Sequence, residues 1–132
     1  MTIENNKAII RNWMDAWLRK DFPALDKIFA PNYTVNGMLI GPEGVKQAVE
    51  FFHSALADLS LELNEIVAED NKVVARWTVR GRHVGEFMGI APTGKLLELK
   101  GINIYHIIEG KIVANHEQTN VPEVLQGLKM NN

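Results

Sequence analysis

Gly85-Glu86-Phe87-Met88-Gly89-Ile90-Ala91-Pro92-Thr93-Gly94 is a glycine-punctuated loop set between apolar segments that alternate with a period of two. Before it, Val73 to Val84 places Ala75, Trp77, Val79 and His83 on one side and Arg76, Arg80 and Arg82 on the other, which predicts a strand with an inward and an outward face. After it, segments from about Leu96 to Ile108 and Lys111 to Thr119 meet at the turn Ile108-Glu109-Gly110-Lys111-Ile112. Further upstream, Leu59, Leu61 and Leu63 alternate with polar residues, and Glu69-Asp70-Asn71-Lys72 supplies turn chemistry. Leu97 and Leu99 have one parity and Ile102 and Ile104 the other, so a bulge is expected at Gly101 that exchanges the face turned to the core.

The first half of the chain has helical spacing. Ile10, Trp13 and Trp17, with Met14 and Leu18 beside them, place one apolar stripe on a helix from about Ile3 to Arg19. Asp21 is a plausible N-cap with Pro23 in the first turn, so a second short helix carries Leu25, Ile28 and Phe29 as far as Ala30, where Pro31 ends it. Tyr33 to Val35 reads as a short strand, and after Gly41-Pro42 the spacing Val45, Val49, Phe52, Leu56 describes a third helix. A short helix from about Val121 to Leu128 closes the chain. Helices followed by an antiparallel meander make an α+β pattern, helices covering one face of a curved sheet that encloses a cavity.

The 132 residues match one hydrophobic core, a single domain over 1–132. A net charge of −2, from 14 basic and 16 acidic residues, gives no long-range attraction to phosphate backbones, so nucleic acid is not an expected partner. The absence of cysteine from the chain excludes disulfides, thiolate metal sites and cysteine nucleophiles. Met1 to Lys7 is polar with no apolar region behind it, and no apolar run approaches the ~18 residues of a membrane span, so the expected location is cytoplasmic, with no membrane partner.

The Gly85 to Gly94 stretch with its Pro92-Thr93-Gly94 turn, the Gly110-Lys111-Ile112 hairpin and the order of elements resemble the SnoaL-like polyketide cyclases, within the nuclear transport factor 2-like cone fold. The resemblance runs from Trp13 to Leu128. It implies a deep pocket for a small apolar or aromatic carbonyl compound and cofactor-free, metal-free proton abstraction followed by aldol-type cyclisation or isomerisation. In that family an aspartate near the end of the last strand is the base, with a partner histidine fourteen residues earlier. His106 and Asn120 stand at that spacing here. An amide cannot act as a general base, so the resemblance also implies an alternative, a non-catalytic binding module.

Asn120, Pro122 and Glu123 also form a capping box for the last helix, which leaves Asn120 as a cap alone or as a cap that also contacts ligand. His116 shares the parity of Asn120, and His83 shares its face with Trp77, so His83, His106, His116 and Asn120 are expected to line one cavity, with His106 or His116 as proton carrier. Three histidines are a common zinc ligand set, but these lie on separate strands without helical i, i+4 spacing, and no metal is expected. Tyr33, Trp17, Phe52 and Met88 are candidate substrate-binding residues with Trp77, while Trp13 and Met14 are core or wall. Glu86 and Glu117 read as solvated surface acids. Asn103, Tyr105 and Ile107, on the parity opposite His106, are expected on the outer face, where they would support a homodimer.

Overall fold

The computed structural model describes residues 2–130. Helices α1 (Ile3–Arg19), α2 (Phe22–Ile28) and α3 (Gly41–Ala55) precede most of the sheet; β1 (Phe29–Val35) and β2 (Met38–Leu39) lie between α2 and α3. Strands β3 (Leu56–Glu69), β4 (Lys72–His83), β5 (Leu96–Ile108) and β6 (Lys111–Thr119) follow, and α4 (Val121–Met130) comes last. The six strands form one sheet in the order β2-β1-β6-β5-β4-β3. All neighbours are antiparallel except β1 and β6, which run parallel. This α+β arrangement is the one the sequence pattern predicts.

Local chemistry sets the helix ends. The Thr2 hydroxyl accepts the Asn5 N–H at 3.0 Å to start α1, and Lys20, in the left-handed region, ends it. Asp21 accepts the Ala24 N–H to start α2, with proline in the first turn as expected. That helix stops earlier than the spacing suggests: Phe29 already pairs with Ile112 of β6, and the β1–β6 register is irregular between Phe29 and Thr34, the interval that contains Pro31. Proline has no N–H to give to the ladder, so the irregularity falls where pairing is weakest.

Two apolar clusters fill the space between helices and sheet. Ile10, Leu25, Phe29, Tyr33, Val49, Val73 and Tyr105 belong to the first, and Leu56, Val79, Phe87, Leu97, Leu99 and Leu128 to the second. Trp17, Leu61 and Trp77 pack against both, so the tryptophans of α1 and β4 bridge the clusters around the hollow between them.

The expected bulge at Gly101 is absent. The β4–β5 register runs without a shift from Lys72↔His106 to Arg82↔Leu96, and Gly101 sits opposite Trp77. Any side chain there would strike the Trp77 ring, so glycine at 101 admits the indole and does not bend the strand. The irregularity lies instead at the β5–β6 hairpin, between His106 and Ile107. One parity therefore faces inward along all of β5: Leu97, Leu99, Gly101, Asn103, Tyr105 and Ile107 are buried. Ile102 and Ile104, whose apolar character suggested an exchange of faces, are exposed on the outside.

Candidate functional site

A cavity of about 540 Å³ opens between the helices and the inner face of the sheet. Its apolar wall includes Trp13, Met14 and Trp17 of α1, Val45, Val49 and Phe52 of α3, Leu61 of β3, and Trp77 and Val79 of β4. Met88, exposed and carried by the Gly85 to Gly94 loop, borders it. Trp17, Tyr33, Phe52, Trp77 and Met88 thus come together as the sequence suggests.

The polar lining is supplied by β1, β5 and β6: Tyr33, Asn103, Tyr105, Asn115, Glu117 and Thr119. Antiparallel pairing sets Tyr105 opposite Asn115, Asn103 opposite Glu117, and Gly101 opposite Thr119, so alternation puts all of these on one face. Asn103 is the hub. Its Oδ1 accepts from Trp77 Nε1 at 2.8 Å, and its Nδ2 donates to the Tyr105 hydroxyl at 3.2 Å and to Glu117 Oε2 at 3.3 Å. The Tyr105 oxygen also accepts from Trp13 Nε1 at 3.2 Å. Glu117 is held from a second side, its N–H donating to Asn36 Oδ1 at 3.0 Å.

Burial pushes the Tyr33 and Tyr105 phenols well above their ordinary range, and the charge of Glu117 adds to the effect in both. Hydrogen bonds from Asn115 to Tyr33 and from Trp13 and Asn103 to Tyr105 work the other way without offsetting burial. Both hydroxyls therefore remain neutral donors at any physiological pH. Glu117 is the one carboxylate among the lining residues.

The histidines and Asn120 do not line this cavity. His106 and His116 are neighbours on β5 and β6 with ring centroids 5.6 Å apart, on the parity opposite Tyr105 and Asn115, and therefore on the outer face. Burial lowers the His106 pKa, and the positive charges of Lys72 and His116 lower it further. His83 is fully buried but outside the lining; its Nδ1 lies 3.0 Å from Thr93 Oγ1 and accepts the Thr93 N–H at 3.3 Å, tying the end of β4 to the loop. Asn120 closes the end of the sheet: its Oδ1 accepts the Lys100 N–H at 2.8 Å and its Nδ2 donates to the Glu98 carbonyl at 3.2 Å. Its side chain thus serves β5, not the first turn of α4 that a capping box would require. Among the described residues no three His, Cys, Asp or Glu side chains gather as a metal ion would need.

Five polar lining residues escaped the sequence reading, Asn103, Tyr105, Asn115, Glu117 and Thr119. Glu117, expected on the solvated surface, is half-buried against the cavity, and Asn103, Tyr105 and Ile107, expected outside, are buried inside. The spacing itself held a usable signal, because Asn103 and Glu117 are fourteen residues apart, just as His106 and Asn120 are. Uninterrupted alternation from Leu97 would have chosen between the two pairs.

A helix-covered curved sheet around a mostly apolar cavity with a polar end defines a cone of the nuclear transport factor 2-like type. Residues 7–128 match the SnoaL-like polyketide cyclases, and the chain belongs to that family. The aklanonic acid methyl ester cyclase AcmA of Streptomyces galilaeus is 44% identical over 52 residues, covering 38% of this chain and 36% of AcmA. The aklanonic acid methyl ester cyclase DnrD of Streptomyces peucetius is 35% identical over 79 residues, 58% of this chain and 54% of DnrD. The aligned stretches thus span about a third to a half of those relatives. Among solved structures, TsrD of Streptomyces laurentii superposes with a TM-score of 0.88 at 27% identity, covering 97% of each chain. AclR of Streptomyces galilaeus gives 0.84 at 27% identity over 98% of each. No helix among the described residues is long and apolar enough to cross a membrane.

Proposed function

We propose that this protein binds a small apolar or aromatic carbonyl compound in the cone and, without a cofactor, removes a proton from a carbon α to carbonyl groups, with Glu117 as the base. The observation that carries this reading is the placement of Glu117. It is the one carboxylate of the lining, anchored by Asn103 directly opposite on β5, at the spacing the family uses for its acid/base pair. In the step, the C–H bond breaks, the proton passes to a Glu117 oxygen, and the electron pair spreads onto the substrate carbonyl oxygen. The Tyr105 oxygen already accepts two N–H groups, so its own proton is free to meet that developing charge. The carbanion then forms a C–C bond to a second carbonyl carbon, or is reprotonated elsewhere for an isomerisation, and the proton returns from Glu117. His106 and His116 have no part in this, because the sheet separates them from the substrate.

The test is deuterium uptake at the α carbon of β-keto esters and aryl ketones. Glu117→Gln keeps the shape and the Asn103 contact but cannot hold the proton, and should lower exchange by about 10²- to 10⁴-fold. A parent that binds such ketones yet exchanges no faster than Glu117→Gln is a binding module and not an enzyme.

A homodimer through the outer face belongs to the same proposal, with different residues from those the sequence suggested. Ile102, Ile104 and Ile108 are exposed there on β5, beside the charge ladders Arg76–Glu65 and Glu62–Arg80–Glu98. A second copy meeting this face would cover the isoleucines. Sedimentation should give a dimer at micromolar concentration and a monomer for Ile104→Glu; a monomeric parent rejects the interface.

A further inference from the structure

Asn115 is a polar group of the cavity whose bonding is incomplete and that the proposed chemistry does not use. It lines the cavity from β6, the residue is 5% exposed, and its Oδ1 is buried without a hydrogen-bond partner. A buried carbonyl oxygen left unpaired costs about 1–3 kcal/mol, so such groups are paired in nearly all native proteins, with protein, water or ligand. No neighbour supplies the missing donor in the structure, the Tyr33 and Tyr105 hydroxyls included; Val35 and Ile40 are apolar, and the Trp13, Trp77 and Asn103 N–H groups are already committed to one another and to Tyr105 and Glu117.

We infer that Asn115 Oδ1 is the acceptor of a subsite for a hydroxyl group on the ligand, with the Tyr33 hydroxyl beside it as the complementary donor. A hydroxyl both donates and accepts, whereas an ether, a halide or a bare ring edge cannot give Asn115 a proton. Asn115 and Glu117 lie two residues apart on the same face of β6, which sets their backbones about 7 Å from each other along the strand. The ligand class is therefore an aromatic or enolic ketone with a free hydroxyl on the side remote from its acidic carbon. This specificity rests on the proposed function for the position of the acidic carbon, but hydroxyl recognition itself does not require any reaction to occur.

Titration calorimetry decides it, using 2-acetonaphthone, its phenols hydroxylated on the ring remote from the ketone, and their methyl ethers. At least one phenol should bind the parent about tenfold more tightly than both its ether and the unsubstituted ketone, one well-formed hydrogen bond in a dry site being worth that much. Asn115→Leu should bring that preference to within about twofold while the unsubstituted ketone still binds. Asn115→Ala carries the same test where leucine does not fold. A parent that binds none of the probes, prefers no phenol, or prefers an ether overturns the subsite, as does a phenol preference that survives in the Asn115 variant. Glu117→Gln should keep the phenol preference, and a parent that keeps the preference but catalyses no exchange removes the proposed catalysis and leaves the subsite standing.

Discussion

The two faces of β5 and β6 carry different chemistries on the same strands. Inside, Trp13, Trp77, Asn103, Tyr105 and Glu117 form a hydrogen-bonded network centred on Asn103. Outside, His106 and His116 lie near each other beside exposed isoleucines and salt-bridged arginines. Residue types would assign catalysis to the outer pair, because imidazoles titrate near neutral pH. Position favours the inner one under the proposed function. A carboxylate of ordinary chemistry becomes a candidate base once it is oriented and set in an apolar cavity, and a histidine on the far side of a sheet is no candidate at all.

The largest expected effect contrasts the two faces directly. Exchange at an α carbon should fall about 10²- to 10⁴-fold in Glu117→Gln and stay within about twofold of the parent in His106→Ala and in His116→Ala. A histidine variant that abolishes exchange while Glu117→Gln retains it would reverse the comparison.

Next comes the network itself. Tyr105→Phe removes the oxygen that accepts from Trp13 and Asn103, and leaves the N–H of half-buried Trp13 unmatched. Urea unfolding should show a loss of about 1–3 kcal/mol, far more than an outer-face change such as His116→Gln. Equal effects on the two faces would mean that the inner network adds nothing beyond packing.

A smaller change is expected for Asn120→Asp, the substitution that would restore an aspartate at the position first matched to the family's base. The aspartate keeps the acceptor for Lys100 N–H but loses the donor to the Glu98 carbonyl and faces that oxygen with a charge. It should cost about 1 kcal/mol and add no exchange activity. A gain of activity would show that the end of the sheet reaches the substrate after all.

The smallest effect belongs to His106. Its pKa is lowered in the folded protein, chiefly by burial, so the folded state favours the neutral ring. The corresponding stability is complete above the unfolded-state value of about 6.5 and is lost as the pH falls toward the folded-state pKa. His106→Gln should therefore slightly flatten the decline in urea midpoint between about pH 7.5 and about pH 5, with no change above it. An unchanged acid limb would place the pH sensitivity elsewhere.

The sequence by itself determined the class of fold, the helices and strands, the inward face of β4, and the aromatic wall, because hydrophobic periodicity is local and a strand that alternates without interruption keeps its parity. Trp17, Phe52 and Trp77 were legible for that reason. Which face of β5 and β6 looked inward was not, since Ile102 and Ile104 are apolar yet exposed and imitate a core stripe. That choice is settled by the unbroken pairing of β5 with β4 and by the fit of the Trp77 indole over Gly101, contacts between residues far apart in the chain. A shift of one residue turns every side chain to the other face, so tertiary pairing alone decided that Glu117 and Asn115, and not His106 and His116, look into the cavity.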